Sequence, residues 1–216
     1  MDQNGNLMWI NNGVQLVSDM EDQDQVRMSV DNNGGAFFTW VDGRGDYNQE
    51  WAGSDIYATH IDMDGNLLLD PAGEALCDHG ANQIKPRVKA LDTGAYVVWE
   101  DHRNSNSDIY SQKVDHLGNT YWDENGISIV SENGVQDQAR LTVDSYGGVF
   151  YVWMDERNAP YPETEIYIQY IDSNNNISFQ NNGLVVCDEQ YYQFAPIVRA
   201  NTNGALVVWG DRRTGS

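Results

Sequence analysis

One property limits the folds open to this chain more than any other: it repeats. With Asp2, Asp62, Asp115 and Asp172 as anchors, a glycine follows each after eleven residues (Gly13, Gly73, Gly126, Gly183). A glutamine follows after twenty-one (Gln23, Gln83, Gln136, Gln193), and a second glycine after thirty-two (Gly34, Gly94, Gly147, Gly204). Each copy also carries Trp-x-Asp-x-Arg: Trp40/Asp42/Arg44, Trp99/Asp101/Arg103, Trp153/Asp155/Arg157 and Trp209/Asp211/Arg213. An Asp/Glu-Ile-Tyr triplet precedes the last three anchors, ending at Tyr57, Tyr110 and Tyr167. A fixed period of roughly 50 residues marks an architecture in which each unit buries its faces against its neighbours.

Within a copy, apolar and aromatic runs alternate with Gly, Asn and Asp, and no window sustains a helical period. The third copy typifies the first three strands, over 140–144, 148–153 and 165–171, and the second copy the short fourth, over 119–122. Four strands per unit at this period predict an all-β protein, a β-propeller with four-stranded blades. It occupies 1–216 as a single domain or segment, with repeats of about 2–61, 62–114, 115–171 and 172–216. The last repeat is incomplete, stopping after Arg213 and before a third strand. The first residues read as a fourth strand over 6–9. Three complete blades, half of another and one spare strand are therefore expected. The ring would be completed by a larger propeller, by another chain or by the spare strand. An unpaired strand over 205–209 would invite self-association.

Charge narrows the partners. The chain has 33 acidic and 12 basic residues, a net charge of −21. Nucleic acid and anionic membrane surfaces would repel it. No stretch approaches the ~20 apolar residues of a membrane span. Cys77 and Cys187 fall at the same position in alternate copies and are expected as free thiols.

The pattern Trp-x-Asp-x-Arg, then Asp-Ile-Tyr-x-Gln, then Asp-x-x-Gly-Asn resembles the propeller repeats of large secreted bacterial surface proteins. That resemblance covers the whole chain. It implies a propeller fold and a secreted or cell-surface location, and no defined activity. The Asp-x-x-Gly turn also resembles the Asp-box of sialidase-type propellers. It departs from that pattern in its Asp-to-Gly spacing and in lacking the preceding Ser.

Residues present in every copy suit fasteners better than ligand readers. The Trp is expected to pack between blades. The Asp and Arg should pair with each other or with the triplet acid (Asp55, Asp108, Glu165). The recurrent Gln should hydrogen-bond a connection where it re-enters the inner strand. Asp62, Asp64 and Asn66 place alternating oxygens before a strand, which suits either a tight hairpin or a calcium ion. No cofactor is otherwise required. His60, His79, His102 and His116 sit at unrelated repeat positions and form no HExxH. Length varies in the loops 43–54, 104–107 and 158–164, which hold Tyr47, Trp51 and Tyr161. These are the candidate ligand contacts, because loops on a rigid scaffold commonly carry binding. The residues together point to a non-enzymatic, secreted or cell-surface binding or scaffolding module with a protein or glycan ligand. Two alternatives stay open, a glycan-binding lectin and a glycoside hydrolase of sialidase-like propeller type. For the second, carboxylates would carry the chemistry, and carboxylate-reading arginines would have to converge on the central channel.

Overall fold

Antiparallel sheets form because each copy supplies β-branched and aromatic runs joined by Gly- and Asn-bearing turns. A computed structural model describes residues 3–9, 13–44, 53–158 and 163–213. The first sheet holds β1 (Gln23–Val30), β2 (Ala36–Asp42), β3 (Asp55–Ile61) and β4 (Glu74–Cys77). The second holds β5 (Gln83–Leu91), β6 (Gly94–Asp101), β7 (Asp108–Asp115) and β8 (Ile127–Val130). The third holds β9 (Gln136–Val143), β10 (Val149–Asp155), β11 (Glu165–Ile171) and β12 (Leu184–Cys187). A final pair, β13 (Gln193–Asn201) and β14 (Gly204–Asp211), forms a half sheet. Strand order follows chain order in every sheet. The edge strands β1, β5, β9 and β13 pack side by side in turn, so they are the inner strands. This is a β-propeller with four-stranded blades and an incomplete fourth.

Two strand assignments need correction. The fourth strand of the second blade is β8, beginning at Ile127, and not the stretch 119–122. That stretch makes only an isolated bridge from Thr120 to Val114. The chain must turn through Asp123–Gly126 before it can lie antiparallel to the start of β7, where Ile109 meets Val130. Likewise 6–9 is not a strand. Trp9 donates its indole N–H to the carbonyl of Met63 at 3.1 Å and lies against Gly65. Leu69 occupies the same place against Gly118 of the second blade. The N-terminal segment therefore sits where the outer strand of a preceding blade belongs. Among the described residues β14 pairs with β13 alone, so the spare segment does not close the ring onto it.

The fasteners behave as their repetition requires. Asp42, Asp101 and Asp155 are fully buried. Each accepts the indole N–H of the tryptophan two residues before it, at 2.7, 2.9 and 2.7 Å. Each also accepts the amide and the guanidinium of the arginine two residues after it. The triplet acids are not the arginines' partners. Instead each guanidinium lies over its triplet tyrosine, 3.9 to 4.1 Å from the ring centroid of Tyr57, Tyr110 or Tyr167. The tryptophan ring in turn explains the repeated glycine. A Cβ on Gly73, Gly126 or Gly183 would come within about 2.5 Å of Trp40, Trp99 or Trp153, and each of these glycines has a positive φ.

The core lies between blades. Trp99 is buried among Phe37, Ile56 and Leu76 of the first blade. Trp153 is buried among Tyr96, Val98 and Ile109 of the second. The seams are stitched by backbone at the repeated glutamines: the main-chain N–H of Gln83 donates to the Ser54 carbonyl at 2.8 Å, and that of Gln136 to the Ser107 carbonyl at 2.7 Å. The side-chain amides of these glutamines donate to the preceding connections, at the carbonyls of Ala81 and Gly134. Ser54 and Ser107 return hydrogen bonds from their hydroxyls to those glutamines' carbonyls. Cys77 and Cys187 are buried free thiols.

Candidate functional site

Each inner strand breaks register at its start. Shifts fall between Asp24 and Arg27, Ile84 and Arg87, Asp137 and Arg140, and Phe194 and Ile197. In each bulge one non-glycine residue adopts a positive φ: Gln25 (52°), Lys85 (54°), Gln138 (52°) and Ala195 (51°). Left-handed backbone at such residues is uncommon and costs on the order of 1–3 kcal/mol, so a device that recurs in four strands has a purpose. A bulge re-aims the side chains on either side of it. Here these side chains ring the blade ends opposite the β1–β2, β5–β6 and β9–β10 turns.

Three arginines follow the bulges at one repeat position: Arg27, Arg87 and Arg140. All are partly buried. Each donates from its guanidinium to the carbonyl just before it, Val26 at 2.8 Å, Pro86 at 2.9 Å and Ala139 at 2.9 Å. Among the described residues none reaches a carboxylate at ion-pair distance. They do feel one another. Burial, and then the charges of Arg140 and Arg27, push Arg87 down to about 10. Burial also lowers Arg140, against the pull of Glu100. The reading that arginines are committed to the blades holds for the Trp-x-Asp-x-Arg set. Arg27, Arg87 and Arg140 form a second set outside it, marked in the sequence by one fixed offset from the first three anchors.

Carboxylates share this end. Glu100 is buried, accepting the Lys85 ammonium at 2.8 Å and the Gln138 backbone N–H at 2.9 Å. It replaces the apolar or small residue of the other copies, Val41, Met154 and Gly210. Asp137 precedes the third bulge. Burial, and then the charge of Glu100, push its carboxyl up to about 6, against the pull of Lys85 and Arg140. Asp24 holds the same register on β1, opposite Val41 as Asp137 is opposite Met154. Asp24 is exposed. A carboxyl titrating near 6 beside other carboxylates is equipped for proton transfer.

The other candidate residues fall elsewhere. Tyr47, Trp51 and Tyr161 lie outside the described residues. The described part of their loop family, 104–107, is tied to the next connection: Asn106 donates to the carbonyls of Glu132 and Gly134, and Asn104 to Asp108 and Ser131. At the calcium candidate, Asp62, Asp64 and Asn66, the tight turn is formed. Asp62 Oδ1 accepts the amides of Asp64 and Asn66, both at 2.9 Å, and its Oδ2 accepts the Asn66 side-chain amide. Asp115 and Asp172 staple their turns in the same way.

No family model matches this chain, and no curated protein matches it. Solved structures do, at the level of fold. An endo-arabinase from Bacteroides thetaiotaomicron superposes with a TM-score of 0.51 at 10% identity, over 90% of this chain and 74% of that one. A thermostable family-43 glycoside hydrolase gives 0.51 at 11%, over 92% and 66%. An α-L-arabinanase from Penicillium chrysogenum, complexed with arabinobiose, gives 0.51 at 15%, over 83% and 54%. The chain thus spans between about half and three quarters of the length of these proteins. Identities this low speak for a shared propeller fold. They also correct the expectation of a non-enzymatic binding or scaffolding module, because the propellers that the chain resembles are glycoside hydrolases. Among the described residues no helix is long and apolar enough to cross a membrane.

Proposed function

We propose that this chain contributes to a glycoside hydrolase, with its chemistry at the bulged ends of the inner strands. The observation that carries the reading is Asp137, whose carboxyl is pushed up to about 6 by burial and by Glu100. A carboxyl poised there keeps its proton in mildly acidic medium and can pass it to the leaving glycosidic oxygen. Asp24, at the same register two blades away and exposed, is the second carboxylate that such hydrolysis needs. It serves as base toward water or as nucleophile toward the anomeric carbon. Inversion or retention of configuration in the product tells these apart. Glu100 acts through Asp137 by raising its affinity for a proton, and so is a positioning residue.

Arg27, Arg87 and Arg140 bear on the substrate. Three guanidinium groups crowded with no ion-pair partner among the described residues favour an anionic occupant, and guanidinium groups bind carboxylates well. The reading is therefore hydrolysis of a glycan that carries acidic groups. Secretion or display at the cell surface, implied by the repeat's resemblance, would bring the enzyme to such a polymer.

The experiment is a panel of neutral and uronate-bearing glycans incubated with the chain, with release of reducing ends as the readout. Release from an acidic glycan, lost in Asp137→Asn, supports the reading. Equal release by the wild type and Asp137→Asn would overturn it.

A further inference from the structure

Two histidines break the repeat at different positions, and the fold brings them together. In the third blade Tyr170 stacks on Phe150 with centroids 4.3 Å apart, and its hydroxyl donates to Asp144 at 2.7 Å. The first blade has His60 at that position. Its ring stacks on Phe37 at 4.0 Å, and its Nε2 lies 2.8 Å from Asp31 Oδ2. His116 is the second departure, where the next copy has Ser173. It reaches across from the turn after β7, placing its ring 4.8 Å from that of His60.

The group has the make-up of a metal site. One donor atom from each of Asp31, His60 and His116 lies within 4.8 Å of the others. The side chains of Asp31 and His60 are 1% and 3% exposed. His60 Nδ1 is buried without a hydrogen-bond partner. His116 Nε2 is 2.8 Å from the Asp92 carbonyl, so it donates there and leaves Nδ1 as a lone-pair donor. Asp31 Oδ1 is held by the amides of Asn33 and Gly35. Such outer contacts to a carbonyl and to amides are what orient metal ligands. A cavity of about 210 Å³ adjoins the three residues, with room for a water ligand. Gly35 lets the backbone close over the site, since a Cβ there would come within 2.3 Å of the Ile61 carbonyl oxygen and 3.0 Å of Asp31 Oδ2.

We propose that Asp31, His60 and His116 bind one divalent transition-metal ion of the zinc class, clamping the first blade to the second. Two imidazoles and one carboxylate, completed by water, suit that class. A calcium ion would want six to eight oxygens. The site lies at the turn ends of the blades, away from Asp137, so the ion is a structural clamp, and this inference is independent of the hydrolase reading.

The test uses the full chain, stripped with a chelator, dialysed and titrated with zinc chloride, with calcium chloride in parallel. One zinc per chain by elemental analysis and a melting temperature several degrees higher are expected, with calcium giving neither. His60→Tyr and His116→Ser install the residues that later copies carry at these positions, so each should fold. Each should weaken zinc binding at least tenfold and lose the zinc-dependent shift, while its metal-free melting temperature stays near wild type. Should His60→Tyr fail to fold, His116→Ser decides. Cobalt substitution adds an optical readout, visible d–d bands that vanish in the same variants. Failure of zinc to bind stoichiometrically, or undiminished binding in His116→Ser, would overturn the proposal.

Discussion

The first and third blades are the same device at one place and different devices at two others. Their fasteners match: Asp42 and Asp155 are both fully buried and both hold an indole, an amide and a guanidinium. At the bulged end they part. Asp24 and Asp137 share a register, yet Asp24 is exposed, whereas Asp137 is pushed up to about 6 beside Glu100. At the turn end His60 stands where the third blade has Tyr170. A blade thus carries its own fastener, while the chemistry of an inner-strand residue comes from the blade before it.

The fastener half of this comparison predicts the largest effect. Asp155→Ala leaves a half-buried guanidinium and a buried indole N–H without their acceptor, and should cost roughly 3–5 kcal/mol. Asp42→Ala should cost about the same, as read by denaturant unfolding. Arg157→Ala should cost less, because that side chain is 14% exposed. A melting temperature unchanged in Arg157→Ala would break the comparison by showing the arginine free for a ligand.

On the proposed hydrolase reading, Asp137→Asn at the bulged end should lower kcat by about a hundredfold to ten-thousandfold, the usual range for losing a general acid. Wild-type activity should fall as pH rises through about 6, where Asp137 loses its proton. The variant's residual activity should lack that limb. A pH profile shared by both proteins would assign the proton transfer elsewhere.

Asp55 sharpens the contrast on the stability side. Burial, then the charges of Asp78 and Asp42, push its carboxyl up to about 7, against the pull of Arg44. The folded state therefore holds a proton that the unfolded chain releases near pH 4. Stability falls as pH rises from about 4 to 7 and levels off above. Asp55→Asn removes that loss, so it should stabilise by on the order of 4 kcal/mol at pH 8. The gain should vanish toward pH 4. A gain that persists at pH 4 would mean that charge is not its source.

The smallest effects concern the blade with one open side. Asp211 and Arg213 repeat the fastener but are 21% and 44% exposed. Asp211→Ala should scarcely move the melting temperature, and a shift matching that of Asp155→Ala would break the link between burial and cost. Cys77, pushed up to about 12 mainly by burial, should resist thiol reagents in the folded chain and react only after unfolding. Fast labelling of the native protein would contradict its burial.

Much of the fold was legible because repetition turns sequence offsets into spatial equivalence. Trp99, Asp101 and Arg103 could be paired on paper, since the same triad recurs and must meet the same surroundings. The site was harder to read. Glu100, Asp24 and Asp137 look ordinary in an acidic chain, and only the seam between blades makes one carboxyl raise another. Arg27, Arg87 and Arg140 were visible at a constant offset, but their crowding depends on how inner strands converge. His60 and His116, 56 positions apart in the chain, share no motif, although each is a departure from its copy.

The sequence by itself determined the four-stranded unit, its period and the internal fastener, because these rest on local patterning and on contacts each copy repeats. Tertiary structure alone decided which departures meet. Inner strands pack side by side and turns reach across seams, so residues far apart in the chain come to share one dielectric and one set of charges. It is burial and proximity of that kind, absent from any single copy, that move Asp137 up to about 6 and set two imidazoles beside Asp31.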